Sequence, residues 1–289
     1  MMKWIKRGVI IFTLLLVVGA IGFAYMLRRA PSWYARASYT PEEWNELART
    51  AQNKLIGARE YAASAHAAEV ASTTNPSATR AAVIGREVTF SQEEINALVD
   101  RGSGLNSWRA EYEKMVRDPA IIFRKDRVII AGMVKDFGAV VSLHFATSIT
   151  DDGQLNMKLD RVLGGNLPMP QSMYSAYRDK LILKLREKLP GWQKGVTVEP
   201  NGTANDDALA AGLAKLFLAS LRGQSVDPYL FLPMEPLGQG SLPMKVTKFE
   251  VEDGTITMTI FPLTTGERQQ LVTHLKAPDK VDNATARTE

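Results

Sequence analysis

AVVSLHFATSITDDGQLNMKLDRVLGG, residues 139–165, alternates apolar and polar side chains on both sides of a single turn. Val141, Leu143, Phe145, Thr147 and Ile149 take the odd positions, with Ser142, His144, Ala146 and Ser148 between them. After Asp152-Gly153 the return run repeats the rule, Leu155, Met157 and Leu159 alternating with Asn156, Lys158 and Asp160. A period of two describes a strand with one buried face. Asp-Gly supplies the positive φ that a tight hairpin turn demands. The stretch is an antiparallel hairpin by this reading, with Ser142 and His144 on its polar face.

The same signals recur on either side. Residues 246–251 and 256–261 form a second hairpin around Glu252-Asp253-Gly254-Thr255, and its return strand carries Ile256, Met258 and Ile260 in alternation. Upstream, 86–90 reads as a short strand, and 121–123 and 128–130 as two more across the charged turn Arg124-Lys125-Asp126-Arg127.

Helices interrupt the strands. Thr40-Pro41-Glu42-Glu43 is a capping box that opens an alanine-rich helix on Trp44, Leu47, Ala51, Leu55, Ala58 and Ala62, running to about residue 70. Ser91-Gln92-Glu93-Glu94 opens a second, with Ile95, Leu98 and Val99 inward. A third places Met173, Tyr177, Leu181, Leu185 and Leu189 on one side and is expected to stop at Pro190-Gly191. A fourth fits 207–222 on Leu209, Leu213, Leu216, Phe217 and Ser220, and a last one fits 265–275, capped by Thr264 or Thr265. The class is α+β, with a curved, mostly antiparallel sheet packed by long helices.

Ahead of this, residues 8–27 read GVIIFTLLLVVGAIGFAYML, with no charge. Twenty residues at about 1.5 Å each span roughly 30 Å, the hydrocarbon thickness of a bilayer. The run exceeds the 7–15 residues of a cleaved leader's apolar region and meets Arg28-Arg29 at once, so a retained transmembrane helix is expected. Three basic residues flank each side, and the short basic start places residues 1–7 in the cytoplasm. The resulting order is the span, a juxtamembrane linker at 28–39, an exported α+β domain at 40–276 with a helical element at 40–75, and a disordered polar tail at 277–289.

Charge follows the same division. Six of the 35 Lys and Arg lie in residues 1–36, which hold no acid; the other 29 meet all 31 Asp and Glu, so 37–289 sum to −2. The folded part lacks the basic surface of a nucleic-acid binder. With no cysteine, disulfides, thiolate metal sites and a cysteine nucleophile are excluded.

The order of elements, with Phe90, Asn96, Asp152-Gly153, Gly165, Leu167-Pro168 and Leu189-Pro190 as anchors over residues 85–262, resembles the YpmS-like family of bacterial membrane-anchored proteins. It is more distantly similar to the LmeA-like phospholipid-binding proteins, whose helix-and-curved-sheet fold is related to tubular lipid-binding domains. The resemblance implies an apolar groove. None of the anchors is a catalytic or ligand residue in those families, so no site is carried over.

Chemistry-bearing constellations are sparse. Ser103 sits in Gly-Ser-Gly outside a nucleophile-elbow frame, and His66, His144 and His274 are the only histidines. Asp151-Asp152 and Asp206-Asp207 stand where turns and helix starts favour aspartate. Leu-Pro-Met recurs at 167–169, 232–234 and 242–244 without regular spacing. No catalytic residue, metal ligand or cofactor is expected. The expected partners are the bilayer through 8–27 and a lipid acyl chain held by Val141, Leu143, Phe145, Leu155, Met157, Leu159, Ile256, Met258 and Ile260. The alternative is a structural or assembly module whose domain binds another envelope protein, with the alanine-rich helix as the contact or a spacer. For each of those nine residues the plain reading is core beneath a helix.

Overall fold

The computed structural model describes residues 25–26, 28–34, 39–74, 85–101, 113, 116–135, 138–199, 203–233 and 241–278. Among the described residues two antiparallel sheets, where one curved sheet was expected, are packed by five helices. In chain order the elements are α1 (Pro41–Thr74), β1 (Arg86–Ser91), α2 (Gln92–Arg101), β2 (Val116–Arg124), β3 (Arg127–Val134), β4 (Ala139–Ile149), β5 (Leu155–Gly164) and β6 (Leu167–Pro168). Then follow α3 (Gln171–Gly195), α4 (Asp206–Arg222), β7 (Ser225–Val226), β8 (Tyr229–Pro233), β9 (Ser241–Glu252), β10 (Thr255–Pro262) and α5 (Thr265–Lys276).

The smaller sheet has the order β1-β10-β9-β8. Its apolar face, Val88, Phe90, Val246, Val251, Ile256, Met258 and Ile260, is closed by Ala51, Leu55, Ala58 and Ala62 of α1. Alanine at 51, 58 and 62 lets the helix backbone approach the strands closely, with Leu55 filling the space between them. Both predicted capping boxes are in place. Glu43 N–H donates to Thr40 Oγ1 at 3.2 Å and Thr40 N–H to Glu43 Oε2 at 2.8 Å; Ser91 and Glu94 repeat the exchange at 3.1 and 2.8 Å. Thr264 makes a third with Glu267.

The larger sheet runs β2-β3-β4-β5-β6, with β7 also on β5. The sheets meet at the β2–β3 turn. Asp126, at φ 55, donates its N–H to the Val251 carbonyl at 2.8 Å and accepts from Thr147 N–H at 3.0 Å. Asn96 of α2 covers the edge strand β2 as a backbone surrogate, its amide accepting from Ile121 N–H and donating to the Ile121 carbonyl, both at 2.7 Å.

Two helical expectations are corrected. Proline 190 does not stop α3, which continues to Gly195. An interior proline costs about 3 kcal/mol, and the last turn offsets this by tertiary contact. Val196, just past the helix, is buried, Trp192 packs against the same cluster, and Gln193 Nε2 donates to the Ala277 carbonyl at 2.5 Å. On α4, Ser220 is buried as expected, but Leu213 is 42% exposed, and Ala208, Ala211, Ala214 and Leu218 share the buried surface. Part of the 28–39 linker packs on the domain. Ser32–Tyr34 form a 3-10 turn whose Trp33 and Tyr34 pack on Ala120, Ile122, Ile129, Ala131 and Val140. A bulge at Asp118-Pro119 turns the Asp118 carbonyl outward, and Tyr34 Oη donates to it at 2.5 Å.

Among the described residues no helix is long and apolar enough to cross a membrane. Of the predicted span 8–27 only Tyr25 and Met26 are described, both helical. The rest of it, the helix side chains Met173, Tyr177, Leu181, Leu185 and Leu209, Ser103, and tail residues 279–289 lie outside the described set.

Candidate functional site

Residues directly opposite in an antiparallel pair share a face. On the larger sheet the register sets Ile130 against Leu143, Leu143 against Val162, Phe145 against Leu159, Thr147 against Met157 and Ile149 against Leu155. All six candidates of the first hairpin, Val141, Leu143, Phe145, Leu155, Met157 and Leu159, therefore stand on one face. A bulge with Asp160 as the extra residue keeps Val162 and Gly164 on that face too, against the alternation of β5. Gly164 pairs with Leu167, which extends the face to β6.

Burial divides this face. Phe145 is fully buried and meets Phe217 of α4 with ring centroids 6.4 Å apart; Leu155 and Val162 are buried as well. Val141, Leu143, Met157, Leu159 and Leu167 are half-buried, and Ile130 is 37% exposed. A half-open apolar stripe thus runs from Leu159 to Leu167. Ile130 and Leu167 were missed in the sequence because only cross-strand register places them here. Ile256, Met258 and Ile260 do not join it. They belong to the smaller sheet, each no more than 8% exposed, and α1 covers them. For these three the plain reading as core holds.

Two cavities among the described residues lie past the Leu159 end of the stripe. The void beside Leu155, between α4, β8 and α5, is about 30 Å³, no more than a water's share of volume. An open cleft of about 630 Å³ lies between the far end of β4–β5 and β9, lined by Asp126, Ser148, Asn156, Lys158, Glu250 and Glu252 among others. Its charges suit water or polar groups and not hydrocarbon.

The opposite face of the larger sheet holds Ser142 and His144, and here expectation and structure part. Alternation placed both on a polar, solvated face; they are 0% and 6% exposed, because the Trp33–Tyr34 turn covers that face too. His144 Nε2 lies 3.1 Å from Ser142 Oγ, Nδ1 has no hydrogen-bond partner among the described residues, and the Trp33 ring stands edge-on at 6.0 Å. Burial, then the Arg127 and Arg161 charges, push the imidazole down to about 4 against the opposing pull of Asp160. A serine–histidine couple needs an acid on the second ring nitrogen and an accessible hydroxyl to act as a nucleophile. Ser142–His144 has neither.

Other polar groups are accounted for by structure. Asp152 Oδ1 accepts from Thr150 Oγ1 at 2.5 Å in the hairpin turn, and Asp206-Asp207 open α4 behind the cap Asn205. Lys54 Nζ reaches both oxygens of buried Glu94 at 2.7 Å. Of the Leu-Pro-Met triplets, that at 242–244 is core of the smaller sheet, that at 167–169 lies on the β5–β6 turn, and Met234 is outside the described residues. Among the described residues no group of three or more His, Asp or Glu could hold a metal ion. Comparison with family models, with curated proteins and with solved structures finds no match.

Proposed function

We propose that this chain is a single-span protein of the bacterial envelope, N-terminus in the cytoplasm, whose exported domain lays a lipid acyl chain along the stripe between Leu159 and Leu167. The carrying observation is the half-burial of Val141, Leu143, Leu159 and Leu167 on one strand face, with Ile130 still more open. A water-exposed domain gains by covering such a strip.

The stripe's dimensions set the mode of binding. Leu159 to Gly164 is five strand steps, about 17 Å. A fully buried methylene is worth about 0.8 kcal/mol, so a sixteen-carbon chain needs about 12 kcal/mol to leave a bilayer without loss. An open strip covers one side of the chain and supplies roughly half. The domain therefore steadies a lipid that stays partly in the membrane and does not carry it off in a sealed tube. The water-sized void at Leu155 and the covering of Ile256, Met258 and Ile260 favour this open mode over an enclosed one. Ala51, Ala58 and Ala62 are buried in the core of the smaller sheet, so in the alternative reading a partner meets the alanine-rich helix on its exposed faces.

The test is native mass spectrometry of the full-length protein ejected from lipid nanodiscs, beside a Leu143→Glu variant. The expected result is a retained phospholipid adduct that the glutamate removes. Adducts equally abundant in both proteins, or absent from both, would reject the stripe as the ligand's seat.

A further inference from the structure

We infer that the β5–β6 turn and the start of α3, residues 166–171, form the rim on which the domain rests against the bilayer, so that the apolar stripe opens directly onto lipid. The decisive contact is Asn166 N–H to the carbonyl of Met26 at 3.4 Å. Met26 belongs to a helical turn, closed by Arg29 N–H to the Tyr25 carbonyl at 2.9 Å. It is also the next-to-last residue of the apolar run 8–27. Where that run leaves the hydrocarbon, Met26 sits at the boundary, and whatever bonds to it sits there as well.

The sequence around Asn166 fits such a place. From Val162 to Tyr177 the chain carries no charge, although 23% of all residues are charged, and Arg161 and Arg178 stand at its two ends. Pro168, Pro170, Gln171 and Ser172 are exposed and Leu167, Met169 and Tyr174 half-buried, so the segment presents apolar and uncharged polar surface. That is the composition of an interfacial segment, with aromatic and aliphatic groups at headgroup depth and arginines flanking them. Arg28 and Arg29, both exposed, add cations at the same level.

A second, independent contact fixes the orientation. Trp33 and Tyr34 clamp the opposite face of the same sheet, with Tyr34 Oη on the Asp118 carbonyl. The chain leaving the predicted span is held on one side by β6 and on the other by β2–β4, which leaves the domain little freedom to roll away. Leu167 is both rim and the last residue of the stripe, through its pairing with Gly164. An acyl chain can therefore pass from membrane to strand without crossing water.

This inference rests on the anchoring half of the function proposed above and not on lipid binding itself. The chain contains no cysteine, so a single one can be placed at will. Full-length Met169→Cys, and Gln171→Cys as a second site, carry an environment-sensitive fluorophore in nanodiscs containing headgroup-level spin-labelled phosphatidylcholine. Gln270→Cys on α5, at the far end of α3, serves as the distant control. Quenching several-fold stronger at 169 and 171 than at 270 is the expected result. Equal, weak quenching at all three positions in protein that resists alkaline carbonate overturns the rim alone. Release of the protein by carbonate overturns the anchor and the rim together.

Discussion

Acidification should loosen this fold at His144 before it reaches the carboxylates. The native imidazole titrates at about 4, against 6.5 for a free side chain, because it is buried beneath Trp33 and faces Arg127 and Arg161, with Asp160 opposing. The folded value is depressed, so between about pH 6.5 and 4 the unfolded chain binds a proton that the native chain refuses. Stability is full above that window and is lost as pH falls through it, by up to about 1.4 kcal/mol per unit and about 3 kcal/mol in all. The assay is urea unfolding of the full-length protein in detergent, followed by tryptophan fluorescence at several pH values, for the native chain and His144→Gln. The native protein should lose about 1 to 1.5 kcal/mol more than the variant between pH 7.5 and about pH 5.5. Trp33→Ala, which opens the ring to water, should flatten the dependence in the same way. Parallel pH profiles for the native chain and both variants would refute a neutral, buried His144.

Two further outcomes follow from packing. Phe145→Ala removes a side chain with no exposure from the contact with Phe217 and should cost about 3 to 5 kcal/mol in the same denaturation assay. Lys54→Met strands Glu94, 6% exposed, without its cation; the loss should be about 2 kcal/mol, less than for a fully buried pair because the lysine is 36% exposed. Adding Glu94→Gln should return part of that loss, and failure to do so would locate the cost in packing and not in charge.

What could be read in advance was local. The exchange at Thr40 and Glu43, its repeats at Ser91 and Thr264, and the glycine turns at Gly153 and Gly254, both at φ 80, depend on neighbours within four residues. So does the shared face of Val141, Leu143 and Phe145. Expectations failed where distant chain decides. Ser142 and His144 are interior because a turn more than a hundred residues earlier covers them, and alternation cannot say that a sheet has two buried faces. Ile256, Met258 and Ile260 followed the same pattern as the first hairpin but belong to another sheet. Pro190 was read by propensity, which Trp192 and Gln193 override through contacts with the end of the chain. The short strands 225–226, 229–233 and 167–168 exist only through their partners.

The pairing of β1 with β10 sets a schedule for assembly. Thr89 bonds Thr257 across 168 residues, whereas β2 to β5 each pair with the next strand in the chain. The meander of residues 116–168 can zip as soon as its own strands are available, at small loop-closure cost. The strand 86–91 must wait, its apolar side unmatched, until synthesis has passed residue 262. For that interval the Val88–Phe90 side of the strand lacks its sheet partner, and an unpaired apolar edge of that kind is where a partly folded chain associates wrongly.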